Sequence, residues 1–321
     1  METFAETHKL VIKQKFEPLE ALANAAANAL DLDMLGGLGE IANKYDVFTN
    51  DGGDKFRVIE TSEMCGCTGR ACCRPNHKLQ LHVYEPAKSD TQEAMLLDRP
   101  CKCGQCCAIL DICRPEMTVF EGPEINGNKI GYIKQPVLGG YLSPSLEIMD
   151  REEDEEPYAT IKSEACCCIG GLFFDHDFTV TDKDGNLVGK ITKTRPDSIG
   201  GFAKELASDA DVFALELNQN SSLTAKQKAN IFAGLYLIDY MFFENEGELK
   251  LDYVNRECSF KCCDLYCCGC VCPCSCNCGG KSDEEEDEEG AVQDGVVEDD
   301  GGDDGDDGAG DGDGDAGEEE E

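Results

Sequence analysis

Short runs that alternate apolar and polar residues, each closed by Gly, Pro, Asn or Asp, recur along the first two thirds of the chain. Such runs expose one face and bury the other, which is the pattern of a half-buried β-strand. Residues 9–17 (KLVIKQKFE) read as a first strand, stopped by Pro18. Residues 45–49 (YDVFT) and 55–59 (KFRVI) flank Asn50-Asp51-Gly52-Gly53, a strong hairpin turn. Further strands are predicted at 79–84, 117–120 and 129–133, then at 146–149 and 158–161 around the acidic 150–156. Residues 178–181 and 187–192 flank a second hairpin signal, Asp184-Gly185-Asn186. In 211–217, Phe213, Leu215 and Leu217 share one face, so this run reads as the last strand of the series. Strands this regularly spaced, with short turns, predict a sandwich or barrel.

Two stretches break the period of two. Residues 19–35 are rich in Ala and Leu and end in Gly36-Gly37, which predicts an inserted helix. Residues 224–243 predict a second helix, whose run 229–243 is apolar on every face except at Asn230 and Asp239. A helix apolar all round is buried in protein or in membrane. The run has 15 residues, whereas a simple span needs about 20. A charge near the middle adds at least roughly 2.5 kcal/mol to insertion. Both facts favour a core helix inside a barrel.

Charge and cysteine sharpen the picture. The 39 residues 283–321 hold 22 Asp or Glu and no Lys or Arg, so 282–321 reads as a disordered acidic tail. Without those acids the formal charge of −38 becomes −16, which argues against nucleic acid as a partner, since phosphate is met by Lys and Arg. Residues 1–10 show no apolar signal segment, so a reducing compartment is expected. The 22 Cys come in tight groups rather than as spaced pairs. The groups are Cys65, Cys67, Cys72 and Cys73; Cys101, Cys103, Cys106, Cys107 and Cys113; Cys166, Cys167 and Cys168; and ten Cys between 258 and 278.

Three readings of these groups stand open. Cys103 and Cys106 have the spacing of one edge of a zinc-thiolate site, but no His falls at a finger-like offset. Adjacent cysteines at a loop tip could instead carry several acyl chains at one point, and stable anchoring needs more than one. Reduced Cys also packs as a small hydrophobe, which for Cys166–Cys168 is as good a reading as acylation, since Ile169, Leu172, Phe173 and Phe174 follow. The ten-Cys segment 249–281, with few strand or helix formers, is not expected to fold alone, and acylation and a metal-thiolate cluster both suit it. His8, His77, His82 and His176 are scattered, and no catalytic motif is present, so no enzymatic role is expected. Asp209 and Asp211 supply hard oxygen donors of the kind Ca²⁺ takes, though a strand opening on Asp accounts for them equally.

Several segments together resemble the phospholipid scramblase family. They are Leu10-Val11-Ile12-Lys13-Gln14-Lys15, Leu97-Asp98-Arg99-Pro100, Gly189-Lys190-Ile191-Thr192-Lys193, Ser208-Asp209-Ala210-Asp211-Val212-Phe213 and Leu237-Ile238-Asp239-Tyr240-Met241-Phe242-Phe243-Glu244. The resemblance runs over about residues 9–246. It implies a mainly β, Tubby-like fold: a closed antiparallel barrel (9–248) wrapped around a hydrophobic C-terminal helix, here Ile231, Phe232, Leu235, Leu237, Ile238, Asp239, Met241, Phe242 and Phe243. It implies calcium-stimulated, ATP-independent movement of phospholipids between leaflets, at the cytoplasmic face of the plasma membrane. It also implies S-acylation, carried over to Cys103, Cys106 and Cys107, with Cys166, Cys167 and Cys168 as further candidates. The family's calcium segment falls on Asp209 and Asp211, and its closing acidic ligand on Asn220. The family's Pro-rich N-terminal region has no counterpart in residues 1–8, read as a short extension. The competing expectation is a membrane-tethered lipid-binding module without transport, with Lys190, Lys193 and Arg195 as headgroup contacts. A homo-oligomer would help the first function, because one 15-residue helix cannot line a lipid path by itself.

Overall fold

The computed structural model describes residues 2–15, 43–49, 53–61, 77–85, 92–102, 108–169, 176–194, 212–243, 249–252 and 257–278. Twelve antiparallel strands close into a barrel. In chain order they are β1 (Lys9–Gln14), β2 (Lys44–Thr49), β3 (Asp54–Thr61), β4 (Leu79–Tyr84), β5 (Glu93–Arg99), β6 (Glu116–Glu121), β7 (Asn128–Lys134), β8 (Ser145–Met149), β9 (Ala159–Ser163), β11 (His176–Asp182), β12 (Leu187–Thr194) and β13 (Val212–Leu217). Sequence neighbours pair around the wall, and β1 closes it on β13 through Lys9 opposite Glu216 to Lys13 opposite Val212. Closure leaves this wall no free edge. The expected strands are all present. β5, which carries Leu97-Asp98-Arg99, extends a segment that was noted only for its resemblance.

The second expected helix, α2 (Ala225–Phe242), fills the lumen. It starts at a capping box: Thr224 Oγ1 accepts from Gln227 N, and the Gln227 side chain accepts from Thr224 N. Every residue of α2 from Lys228 to Phe242 is buried. Inward-facing strand residues surround it, among them Val47, Val58, Leu81, Leu97, Val119, Ile148, Ile161, Val180, Ile191 and Leu215. The period-two strands and the all-apolar helix are thus one core: each strand offers one face, and the helix needs all of its own. Gly131 on β7 makes room for the helix. A Cβ there would lie 2.2 Å from the side chain of Asn230. The inserted helix expected at 19–35 lies outside the described residues.

Two additions were not expected. Residues 1–8, read as an extension, contain α1 (Glu2–Glu6), whose Phe4 is buried, stacks on Phe56 at 4.6 Å and meets Phe232 at 5.5 Å. The Cys-rich segment is not formless. β14 (Leu249–Asp252), β15 (Glu257–Cys267) and β16 (Cys270–Cys278) form a second sheet with the two-residue β10 (Cys168–Ile169). Alternation explains it. Cys at 270, 272, 274, 276 and 278 has period two, and Cys behaves as a small hydrophobe. Residues 1–280 form one compact unit.

Candidate functional site

Successive antiparallel strands send alternate connections to opposite ends of the barrel. At the end where α2 begins lie the turns after β2, β4, β6, β8, β11 and β13, and α1. Lys228 Nζ donates to the carbonyls of Ala5 and Thr7 there, at 2.8 and 3.4 Å, and burial pulls its ammonium below the usual lysine range. This end includes the acidic run Asp150-Arg151-Glu152-Glu153-Asp154-Glu155-Glu156.

At the end where α2 finishes lie the connections after β1, β3, β5, β7, β9 and β12. Among the described residues Cys101, Cys113 and Cys166–Cys168 belong to this end, and main-chain bonds from Tyr266 and Cys268 bring the tip of the β15–β16 hairpin there. Cys65, Cys67, Cys72 and Cys73 lie outside the described residues. Periodicity could not reveal this gathering, which depends on barrel topology.

The final turns of α2 are tied down by polar side chains in an apolar setting. Tyr45 Oη donates to Asp239 Oδ2 at 2.7 Å, and Tyr240 Oη donates to Glu60 Oε2 at 2.9 Å. The backbone N–H of Asn43 donates to the same Glu60 oxygen at 2.9 Å. Burial, then the Asp239 charge, holds the Tyr45 phenol well above its usual range. Arg99 is buried, donates to the His77 carbonyl at 3.1 Å and stands 5.3 Å from the centre of the Tyr240 ring. Asp239 and Arg99 therefore act as structural anchors. A lone acid in an apolar run signals Asp239 in the sequence, and for Arg99 the resemblance is the sole signal.

Cys166, Cys167 and Cys168 are joined by the fourth group. Cys168 pairs with Leu265 in register, and the N–H of Tyr266 donates to the Cys167 carbonyl at 2.8 Å. Cys263 faces Cys274 across the hairpin. Burial, then a hydrogen bond with Cys168, pushes the Cys263 thiol up to about 11. Cys166 and Cys168 are exposed, and Cys167 is half-buried at φ +68°. Their expected core role passes to Ile169, which is fully buried. Among the described residues no cluster is arranged to hold a metal ion. Cys103, Cys106 and Cys107 lie outside the described residues.

Asp209 and Asp211 also lie outside them. Asn220 follows β13 in an exposed turn, its N–H held by Asn218 Oδ1 at 3.0 Å. A six-residue strand spans about 17 Å, so Asn220 stands apart from the start of β13.

The basic headgroup contacts fare unevenly. Lys190 is paired with Asp177 at 2.8 Å. Lys193 is buried with its ammonium 4.1 Å from the centre of the Phe243 ring. Alternation along β12 turns it toward the end of α2 rather than toward solvent. Arg195 lies outside the described residues.

The scramblase family model matches residues 1–245. The chain belongs to the scramblase family. It is 28% identical over 251 residues to human phospholipid scramblase 1, covering 77% of this chain and 66% of that protein. It is 27% identical over 248 residues to bovine phospholipid scramblase 2, covering 76% and 71%, and 26% identical over 245 residues to human phospholipid scramblase 4, covering 76% and 64%. The chain thus spans about two thirds of the length of these relatives. No solved structure matches. The family match ends at the close of α2, so the Cys-rich hairpin lies beyond it. The closed barrel around a C-terminal helix is the Tubby-like architecture expected of this family.

Proposed function

We propose that the chain moves phospholipids between membrane leaflets, stimulated by calcium and independently of ATP. The observation that carries this reading is the family match across the whole barrel and its enclosed helix. S-acylation is proposed at Cys103, Cys106, Cys107, Cys166, Cys167 and Cys168. In each case the thiol sulfur attacks an acyl-CoA thioester, the new thioester forms, and free coenzyme A leaves with the thiol's proton. Calcium is proposed at the 209–211 segment, with Asp209 and Asp211 as oxygen donors; Asn220, the family's closing position, lies beyond the other end of β13. Zinc is not part of the proposal. The protein is placed at the cytoplasmic face of the plasma membrane, with phospholipid as its partner and with self-association assisting transport.

One observation favours a second reading. Among the described residues no helix is long and apolar enough to cross a membrane, and α2 is sealed inside the barrel with Asp239 and Tyr240 hydrogen-bonded to wall residues. A headgroup crossing hydrocarbon needs a polar path or a thinned bilayer, so transport requires the barrel to open or the chain to disturb the bilayer from its surface. A membrane-tethered lipid-binding module needs neither.

Reconstitution separates the two. Purified full chain in liposomes carrying a labelled phospholipid should equilibrate the label between leaflets when calcium is added, and Asp209→Ala with Asp211→Ala should remove the calcium response. Lipid binding with no transfer at any calcium level would reject scrambling in favour of the module.

A further inference from the structure

Four segments separated by tens of residues meet at the end of the barrel where α2 finishes. Residues 108–113 follow the second Cys group, 137–142 join β7 to β8, 166–169 carry the third Cys group, and 265–274 form the tip of the β15–β16 hairpin. Main-chain hydrogen bonds stitch them together. The N–H of Ala108 donates to the Cys268 carbonyl at 2.8 Å, and that of Leu138 to the Ala108 carbonyl at 3.0 Å. The N–H of Cys268 donates to the Tyr141 carbonyl at 2.7 Å, and that of Cys167 to the Leu142 carbonyl at 2.9 Å. Buried Tyr266 locks the hairpin below: its hydroxyl donates to the Gly139 carbonyl at 2.6 Å and accepts from Gln135 at 3.0 Å, and its ring meets Phe242 of α2 at 5.8 Å.

The surface so built has an unusual composition for this chain. Its 26 residues contain one charged residue, Asp111, whereas 29% of the whole chain is charged. Asp111 is itself held by Arg114 at 2.6 Å and Lys134 at 2.5 Å. Among the described residues nine large apolar side chains are exposed, and seven stand here: Ile109, Leu110 and Ile112, then Val137, Tyr141 and Leu142, and Leu265 on the hairpin. Ile109, Leu110 and Ile112 are 57–60% exposed. The other two, Ile125 and Leu187, lie toward the opposite end, which bears the acidic 150–156 run. Exposed Cys166, Cys168, Cys267 and Cys272 are interspersed with the apolar side chains.

We propose that this face is the surface by which the protein sits on a lipid bilayer, inserting the 109–112 and 137–142 loops and the hairpin tip among the acyl chains. Charge decides for lipid over a second copy of the chain. A protein of net charge −38 is repelled by anionic headgroups unless it approaches through a face whose acid is neutralised, and these described segments, with Asp111 neutralised, lie at the end opposite the acidic 150–156 run. Large apolar patches on soluble chains mark interaction sites. Acyl chains on Cys166 or Cys168 would enter the same layer. The inference rests on reading the chain as a lipid-handling protein, but it requires neither transport nor calcium.

The test is flotation of unacylated full chain with phosphatidylcholine vesicles, with and without phosphatidylserine. Ile109→Glu, Leu110→Glu and Ile112→Glu together should weaken vesicle binding by about tenfold or more. Ile125→Glu with Leu187→Glu should leave it unchanged. All five side chains are exposed, so thermal melts should confirm unchanged folding. Equal loss in both variants, or no loss in the first, overturns the proposal. So does light scattering that shows the first variant dissociating a dimer while vesicle binding persists. Binding lost in the first variant alone supports the surface even if the wild-type chain transfers no lipid, an outcome that would reject scrambling only.

Discussion

Asp239 shows how a single side chain can be misjudged from pattern alone. One acid in an apolar helix looks like an obstacle to membrane insertion or a clue to transport, yet here it accepts a hydrogen bond from Tyr45 deep in the barrel. Removing the acceptor by Asp239→Leu takes the charged partner from a buried phenol and should cost about 1–3 kcal/mol. Tyr45→Phe removes a donor from the buried carboxylate instead, so the double variant should be less damaging than the sum of the two. Urea unfolding of the four proteins measures that coupling, expected at about 0.5–3 kcal/mol. Cys263 offers a pH test. Its thiol is raised from 9.0 to about 11 by burial and then by Cys168, and only the thiolate reacts. At pH 8 it should carry about 100-fold less thiolate than an ordinary thiol. Its alkylation rate, followed by mass spectrometry of its peptide, should keep climbing until pH approaches 11. A plateau at pH 9 would contradict the buried setting.

At the scale of elements, the strands and α2 follow from residue patterns because each has a face to bury and a turn or cap to stop it. Thr224 is an example: Thr224→Ala breaks the capping box and should lower stability by about 1 kcal/mol in thermal or denaturant unfolding. The β15–β16 hairpin was harder to foresee. Its strands are built from Cys, which is rarely read as a strand former, and their turn places Gly269 at φ +89°. A Cβ at Gly269 would fall 2.4 Å from that of Ala108 and 2.7 Å from the Ala108 nitrogen. Gly269→Ala should therefore loosen the hairpin tip from the barrel, while β5 and α2 stay protected. Hydrogen exchange of Cys268 and Ala108, whose N–H groups join the tip to the barrel loops, should rise in that variant, with little change for the amides of α2.

For the whole molecule, the barrel is closed around its wall and stoppered at both ends. α1 covers the start of α2 through Phe4, and Tyr266 of the hairpin covers its finish. Phe4→Ala should cost about 3–5 kcal/mol, read as a lower denaturant midpoint with an unchanged slope. No cost would mean that residues 2–6 do not seal the core. Among the described residues the two ends also differ in chemistry: one bears the acidic 150–156 run, and the four stitched segments at the other hold Asp111 as their single charge, which gives the barrel a direction relative to a membrane.

The sequence by itself determined the strand positions, the buried helix, the hairpin turns and the family, because hydrophobic periodicity and caps are local and the family's segments are contiguous. The acidic tail and the four Cys groups were equally visible as composition. Tertiary structure alone decided what those groups share. Among the described residues, antiparallel connectivity brings 108–113, 137–142, 166–169 and the tip of the β15–β16 hairpin to one end of the barrel. It also separates Asn220 from the start of β13, and it turns Lys193 onto Phe243 instead of toward a headgroup. Proximity across a closed wall depends on which strands pair and in what register, and no window of neighbouring residues carries that information.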